Sequence, residues 1–422
     1  MESLYVTEDE QIQMENLITK YTFTSGLVPP ADLVFHTSEP AVVLLTGSAG
    51  NLGAQILASL LKDGRVLKIY ALDRALDRSL ADRHLDIFER RGLDTLLLGS
   101  PKLVFVEGRI QDKNLGLKPD VYIEMVNSVT LIMHNAWRLN FNMGIASFEP
   151  YILGTRHLID LALSSPHPPL FLFTSSIATA QAWDPRCGPC PETILGDTRL
   201  AVGGYGQSKY VAEQILARSG LNVICFRLGQ ICGSLPTGAW ATTNWVPIMV
   251  KTSITLGCLP LANGLVSWID FKTVAQAMMD AAFAPLQGSH CLPNVLNLVH
   301  PRPVPWNFLM NCLRDVLFKE RNGFKNLRLV EFPEWFKELQ ACGASGRYDK
   351  ENLPGLKLLN FFRSLANSSA GPTNAEFAGT NFSIGKIQAL SPAVHDARSI
   401  SKENVEAWVD YWNTEVFHAA RL

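Results

Sequence analysis

The sequence predicts an α/β fold built on a doubly wound parallel sheet, and three observations carry that prediction. AVVLLTG (41–47) is an unbroken apolar run closed by glycine, the pattern of a strand buried on both faces. Strand-like runs then alternate with helix-like stretches as far as residue 229. The first strand also leads through a glycine-rich turn, TGSAGNLG (46–53), directly into a helix. Together they describe a Rossmann-like sheet with a smaller, mixed C-terminal region.

Taken in order, TEDEQIQMENLITKYT (7–22) has the spacing of an amphipathic helix, and 23–40 reads as a linker ending in Pro40. After the first strand and its helix come strands at 66–74, 102–108, 129–136, 170–176 and 222–229. Helices are expected over 78–92, 154–165 and 205–220, the last ending at Gly220. Past residue 236 the texture changes: Trp240, Trp245, Trp268 and Trp306 appear among more prolines. The expected organisation is 1–40 helix and linker, 41–235 sheet domain, and 236–422 substrate-binding region, some of whose strands return to the sheet. A loop is expected over 366–383 and a last helix over 402–417, with Trp408, Val409 and Trp412 on one face.

Bulk chemistry removes several classes of function. The chain has 422 residues, 47% of them hydrophobic, enough for a large core. With 37 Lys plus Arg against 39 Asp plus Glu, the net charge of −2 gives no reason to expect nucleic acid or an anionic membrane as partner. No apolar run approaches the roughly 20 residues of a bilayer span. The acidic start, MESLYVTEDEQIQ, lacks a signal-peptide core, so the cytoplasm is the expected compartment. The one C-x-x-C, Cys187 and Cys190, sits in a Pro/Gly loop without a second pair and reads as two reduced cysteines. His134 reads as a packed strand-end residue, and no metal is expected.

Gly47, Gly50 and Gly53 form a G-x-x-G-x-x-G between a buried strand and a helix. Glycines let a backbone turn tightly against a pyrophosphate, and the helix N-terminus, at Asn51 and Leu52, offers N–H groups to it. A dinucleotide is expected there. Asp73, at the end of the second strand, suits the ribose hydroxyls of NAD; Arg74, with Arg83 on the next helix, suits the 2′-phosphate of NADP. Arg78 reads as a solvated helix face.

In GGYGQSKYV (203–211), Tyr205 and Lys209 lie four apart on an expected helix and so share a face. An ammonium beside a phenol favours the phenolate and lowers its pKa, making a tuned proton donor. The strand LFLFTSS (170–176) ends in Thr174, Ser175 and Ser176, where a hydroxyl can help hold a substrate oxygen. No G-x-S-x-G elbow surrounds Ser175, so hydrolytic release is not expected.

This order of glycine loop, hydroxyl-bearing strand end and Y-x-x-x-K resembles the extended short-chain dehydrogenase/reductases. Two longer stretches narrow the resemblance: HNAWRLNFNMGIASFEPYILGTRHLIDLAL (134–163) and RLGQICGSLPTGAWATTNWVPIMVKTSITLGCLP (227–260). Both resemble the terminal thioester reductase domains of fungal adenylate-forming reductases, single-module enzymes similar to nonribosomal peptide synthetases. The resemblance implies NADPH-dependent reduction of an acyl thioester on a phosphopantetheine arm, with release of an aldehyde. It maps the triad onto Ser176, Tyr205 and Lys209, the 2′-phosphate contacts onto Arg74 and Arg83, and the nicotinamide border onto Leu228 and Gly229. Asn135 then lines the cofactor, and Trp240 and Trp245 are candidates for the acyl or pantetheine channel. Two departures stand out: Asp73 where an uncharged residue is usual, and Arg109 where an Asp near the adenine is usual. The implied partner is an upstream acyl carrier domain, whose trailing end the first 40 residues resemble, and the chain is expected to act as a monomer. Two other functions share the loop and triad: an epimerase or dehydratase acting on a nucleotide sugar, and a non-catalytic nicotinamide sensor. The long motifs disfavour the first, and an intact Ser176, Tyr205 and Lys209 disfavours the second.

Overall fold

A computed structural model of the chain describes residues 6–22, 40–284, 294–318, 326–346, 349–369 and 380–415. These fall into two compact units. The first takes the described residues up to Gly229 and those within Lys272–Val299 and Phe382–Asp396. The second takes Gln230–Phe271 and the described residues within His300–Asn381 and from Ala397 onward. The division is thus discontinuous, with Lys272–Val299 and Phe382–Asp396 in unit 1; the sequence reading set a boundary after residue 235 with later strands returning to the sheet.

Unit 1 is built on a parallel sheet. Its strands are β1 (Ala41–Thr46), β2 (Val66–Asp73), β3 (Leu103–Glu107), β4 (Leu131–His134), β5 (Leu170–Ser176) and β6 (Val223–Leu228). A seventh strand, Val295–Leu298, pairs with β6, and the spatial order is seventh-6-5-4-1-2-3. The reversal of order beside β1 leaves a crevice at the carboxyl ends of the strands, where folds of this kind bind ligands. β1, β4, β5 and β6 are almost wholly buried, which explains their unbroken apolar runs.

The helices of this unit are α1 (Glu8–Thr22), α2 (Asn51–Lys62), α3 (Leu80–Arg91), α4 (Pro119–Ser128), α5 (Glu149–Ser164) and α6 (Gly203–Ala217). Ser79 caps α3 by accepting from the Asp82 N–H at 3.1 Å. α5 begins five residues ahead of the expected 154 because Pro150 occupies its first turn, where a missing N–H costs nothing. α4 was not anticipated; it too opens on a proline, and only its Met125 is fully buried. α1 is packed into this unit, with Met14, Ile18 and Tyr21 in the core. The Tyr21 hydroxyl and Lys20 Nζ both donate to Glu149 Oε1 at 2.7 Å. The helix is therefore part of the sheet domain, not only a tail from whatever precedes it. The expected linker at 23–39 lies outside the described residues.

A buried carboxyl, Glu192, ties the late segment into unit 1. It accepts from the N–H groups of Lys386 (2.6 Å), Ile387 (3.1 Å) and Asn297 (3.3 Å), while Lys386 Nζ donates to the Glu192 carbonyl at 2.7 Å.

Unit 2 has its own core. Trp240 is fully buried, with its ring 5.0 Å from that of Trp408 and 5.6 Å from that of Trp412. The indole N–H of Trp408 donates to the Gly233 carbonyl at 2.9 Å and that of Trp412 to the Trp240 carbonyl at 3.1 Å. These bonds dock the last helix, Lys402–Glu415, against the loop before Trp240; residues 416–417 of the expected helix lie outside the described residues. Of the loop expected over 366–383, residues 370–379 lie outside them too, and 366–368 close the helix Leu359–Ser368. No described helix is long and apolar enough to cross a membrane.

Candidate active site

The loop between β1 and α2 cannot be built without glycine. A Cβ on Gly53 would sit 2.0 Å from the Gly47 carbonyl oxygen, and one on Gly47, whose φ is +72°, would sit 2.8 Å from Ala136 Cα. The N–H groups of Asn51, Leu52 and Gly53 head α2, and its N-cap residue Gly50 supplies no side-chain cap. The loop thus presents backbone donors at a helix N-terminus, which fits a dinucleotide pyrophosphate.

Strand β4 is tied to this loop. Thr46 Oγ1 accepts from the N–H groups of Asn135 and Ala136, both at 3.1 Å, and the Asn135 side-chain amide donates to the Gly47 carbonyl at 3.2 Å. His134, fully buried, lies 2.9 Å from Thr46 Oγ1 through Nδ1 and 3.1 Å from Thr155 Oγ1 through Nε2. Burial, with Lys209 adding to it, pushes this imidazole down to about 3, so it stays neutral and structural.

The three hydroxyls at the end of β5 have different partners. Thr174 donates to the His134 carbonyl at 3.3 Å, and Ser175 donates to Glu213 at 2.5 Å. Ser176 accepts from the Ala178 N–H at 3.2 Å, and its hydroxyl is near enough to the Tyr205 phenol to oppose the rise of that group's pKa. Of the three, Ser176 is therefore the one brought to Tyr205.

Tyr205 opens α6 and packs edge-on to Phe141 (5.6 Å) and Phe148 (6.1 Å). Its close neighbour Gly206 allows this: a Cβ there would lie 2.6 Å from the Ala178 carbonyl oxygen. Lys209, one turn on, donates to the Thr174 carbonyl at 2.5 Å and lies 4.1 Å from the Trp137 ring centre. The expected lowering of the Tyr205 pKa is not what the structure gives. Burial pushes the phenol up to about 12, with the Ser176 hydroxyl opposing, and burial also pulls Lys209 well down. The correction has a plain cause: the ammonium is turned to a carbonyl and two aromatic rings, and desolvation favours the neutral form of each group.

Sequence reasoning missed the support behind this pair. Glu213 and Arg227 form an ion pair at 2.7 Å with both side chains fully buried, and Ser175 is its third member. The signal was available: Tyr205, Lys209 and Glu213 recur at intervals of four along one helix.

At the other side of the loop, Arg74 is exposed, and Arg83 is half-buried with Nη1 donating to the Arg74 carbonyl at 2.8 Å. Arg78 is exposed and paired with Asp86, and Arg109 is exposed beside Asp112. Asp73 turns inward to Ser48, an arrangement the sequence did not suggest. Leu228 is buried at the end of β6, and the Gly229 N–H donates to the Leu298 carbonyl at 3.1 Å.

The two tryptophans proposed for the substrate channel separate. Trp240 is core, with no exposed surface. Trp245 is half-buried and donates to the Gln230 side chain at 2.6 Å, so of the two it alone presents surface.

Residues 45–278 match an NAD-binding family described as male sterility protein. The chain is 44% identical over 424 residues to the adenylate-forming reductase Nps11 of Serpula lacrymans var. lacrymans, covering 96% of this chain and 38% of that protein. It therefore spans well under half the length of that relative. Among solved structures, the terminal R domain of the myxalamid PKS-NRPS pathway superimposes with a TM-score of 0.81 at 24% identity, covering 97% of this chain and 100% of that one. A thiolation-reductase di-domain from an archaeal non-ribosomal peptide synthetase gives 0.68 at 18% identity, covering 97% and 81%. Both structural likenesses speak to the fold.

Proposed function

We propose, for a chain that belongs to the male sterility protein family of NAD-binding domains, that it releases an acyl group from a carrier-bound phosphopantetheine thioester as an aldehyde, using NADPH. The observation that carries this is the approach of Tyr205 and Lys209, one turn apart on α6, to the end of β5 that bears Ser176, at the sheet edge that also bears the glycine loop. The similarity to an adenylate-forming reductase and to R domains supports the thioester as substrate and a carrier domain as partner. Arg74 and Arg83, at the end of β2 and on α3, support NADPH over NADH.

When bound, the nicotinamide supplies the hydride. Asn51, Leu52 and Gly53 would hold the pyrophosphate through their N–H groups. The Ser176 and Tyr205 hydroxyls orient the thioester carbonyl and stabilise the charge that develops on its oxygen. Tyr205, kept protonated by its surroundings, then gives its proton to that oxygen. A phenolate forming near Lys209 favours its ammonium form, against the effect of burial, so that the two charges offset one another. The thiohemiacetal so made breaks its C–S bond to leave aldehyde and carrier thiol.

The test is to follow loss of reduced-nicotinamide absorbance with pantetheine-type acyl thioesters, offering NADPH and NADH separately and identifying the product. Thioester-dependent oxidation with aldehyde formation is expected, and Tyr205→Phe should lower the rate by about 100-fold or more. A Tyr205→Phe chain reducing thioesters at the wild-type rate would overturn the mechanism.

A further inference from the structure

Three side chains behind the glycine loop form a hydrogen-bonded chain. Ser48 and His84 are fully buried, and the Asp73 carboxyl is 9% exposed. Ser48 Oγ lies 2.5 Å from Asp73 Oδ2 and 2.8 Å from His84 Nε2. His84 Nδ1 lies 2.7 Å from the Leu80 carbonyl, and the Ala49 N–H donates to Asp73 Oδ2 at 3.2 Å.

Counting protons constrains the charge. A carbonyl only accepts, so His84 Nδ1 carries a proton. Ser48 has a single proton for two short contacts. If Asp73 were an anion and His84 neutral, one of those contacts would bring lone pairs together with no hydrogen between them. An extra proton is needed, on Asp73 or on His84 Nε2, and either placement leaves the trio without net charge. Burial favours the arrangement with no separated charges. Burial raises Asp73, opposed by Ser48, His84, the Ala49 N–H and Arg83. It also lowers His84, with Arg83 adding to the effect and the Leu80 carbonyl and Asp73 opposing it.

We propose that Asp73 is a carboxylic acid in the working protein, donating through Ser48 to a neutral His84, and that this proton lets the end of β2 accept the 2′-phosphate of NADP(H). This rests on the NADPH reading above and deepens it. A residue at this strand end ordinarily selects NAD by accepting from the ribose hydroxyls as an anion. Here the acid is turned inward and uncharged, so it neither recruits the diol nor repels a phosphate. Arg74 is left exposed at the same place, its guanidinium without a partner among the described residues. Loss of the proton at high pH restores the negative charge and weakens NADP⁺ relative to NAD⁺.

The experiment is calorimetric binding of NADP⁺ and NAD⁺ to the full chain, wild type and Asp73→Asn, at about pH 7 and about pH 9. It is joined by ¹⁵N spectra of the wild-type imidazoles, which need no variant to fold. At the lower pH, Asp73→Asn should leave the NADP⁺ dissociation constant within about twofold, because the amide replaces a group already neutral. As pH rises far enough to take the Asp73 proton, the wild type should lose NADP⁺-over-NAD⁺ preference and the variant should not. His84 should appear as the neutral Nδ1–H tautomer. A tenfold or greater gain in NADP⁺ affinity on Asp73→Asn near pH 7, a wild-type preference that rises with pH where the variant's does not, or an imidazolium signal for His84 would each overturn the inference. A wild-type chain binding neither dinucleotide overturns the proposed function as well. A chain that reduces thioesters with NADPH yet gains NADP⁺ affinity on Asp73→Asn overturns this inference alone.

Discussion

Two serine–carboxyl clusters stand near the carboxyl edge of the same sheet, and what sets them apart chemically is the base in each. In each, a serine hydroxyl lies 2.5 Å from a carboxyl oxygen: Ser175 with Glu213, and Ser48 with Asp73. The third member is Arg227 in the first cluster and His84 in the second. An arginine keeps its charge, so it demands an anion beside it; a histidine can be neutral, so its carboxyl partner can keep a proton. The base therefore decides what the carboxyl is. One cluster is a fixed ion pair bracing α6 against β6, and the other is a neutral chain beneath the cofactor loop.

The strongest way to break this comparison is to remove each base. Arg227→Met leaves a buried Glu213 without its partner and should cost about 3–5 kcal/mol in urea unfolding. His84→Asn removes only neutral hydrogen bonds and should cost about 1–2 kcal/mol. Equal losses would mean that the two clusters carry charge alike.

Next in size is the effect of moving Tyr205, which shares its helix with Glu213 of the first cluster. Gly206→Ala sets a Cβ 2.6 Å from the Ala178 carbonyl, so α6 must shift relative to the strand end that holds Ser176. A turnover number lower by about 100-fold is expected, with the NADP⁺ dissociation constant within about twofold. Loss of cofactor binding would instead mean that the two halves of the edge move together.

The smallest effect is on stability against pH. His134 titrates at about 3 in the folded chain against 6.5 when unfolded, so below 6.5 the unfolded state binds more protons and stability falls with pH. At about pH 5.5 the loss from this residue is about 1.4 kcal/mol. His84, also lowered, adds in the same direction. Asp73 has the opposite sign: its pKa is raised, so its contribution is fully present below the unfolded carboxyl value and is lost as pH rises through the folded one. Chemical denaturation at steps from about pH 7.5 to about pH 4.5 measures the sum. The same slope in wild type and in His134→Asn would remove the buried, neutral His134 from the account.

The sheet was legible because its strands are buried on both faces and announce themselves as unbroken apolar runs. The loop glycines, Tyr205, Lys209 and the hydroxyl-bearing strand end were legible because each obeys a local spacing. What a sequence does not display is which way a side chain turns. Ser175 and Ser176 are adjacent and chemically identical, yet one is tied to Glu213 and the other meets Tyr205. Asp73 carried a vote for NAD until its carboxyl was found facing Ser48. Trp240 and Trp245 looked interchangeable, and burial parts them. The helices of the C-terminal region were mostly missed because their packing is set by distant tryptophan pairs and not by a local period.

The bonds from Glu192 to Asn297, Lys386 and Ile387 have a bearing on modular recombination of such reductases. Exchanging everything after residue 235 for the corresponding stretch of a relative looks like swapping a specificity module. It would also replace the strand Val295–Leu298 and the segment Phe382–Asp396, and so mate a foreign backbone to a native carboxyl. A chimera that respects the architecture keeps Lys272–Val299 and Phe382–Asp396 with the host and exchanges only the stretches of unit 2 on either side of them. Unit 2 of this chain is a set of inserts, not a tail.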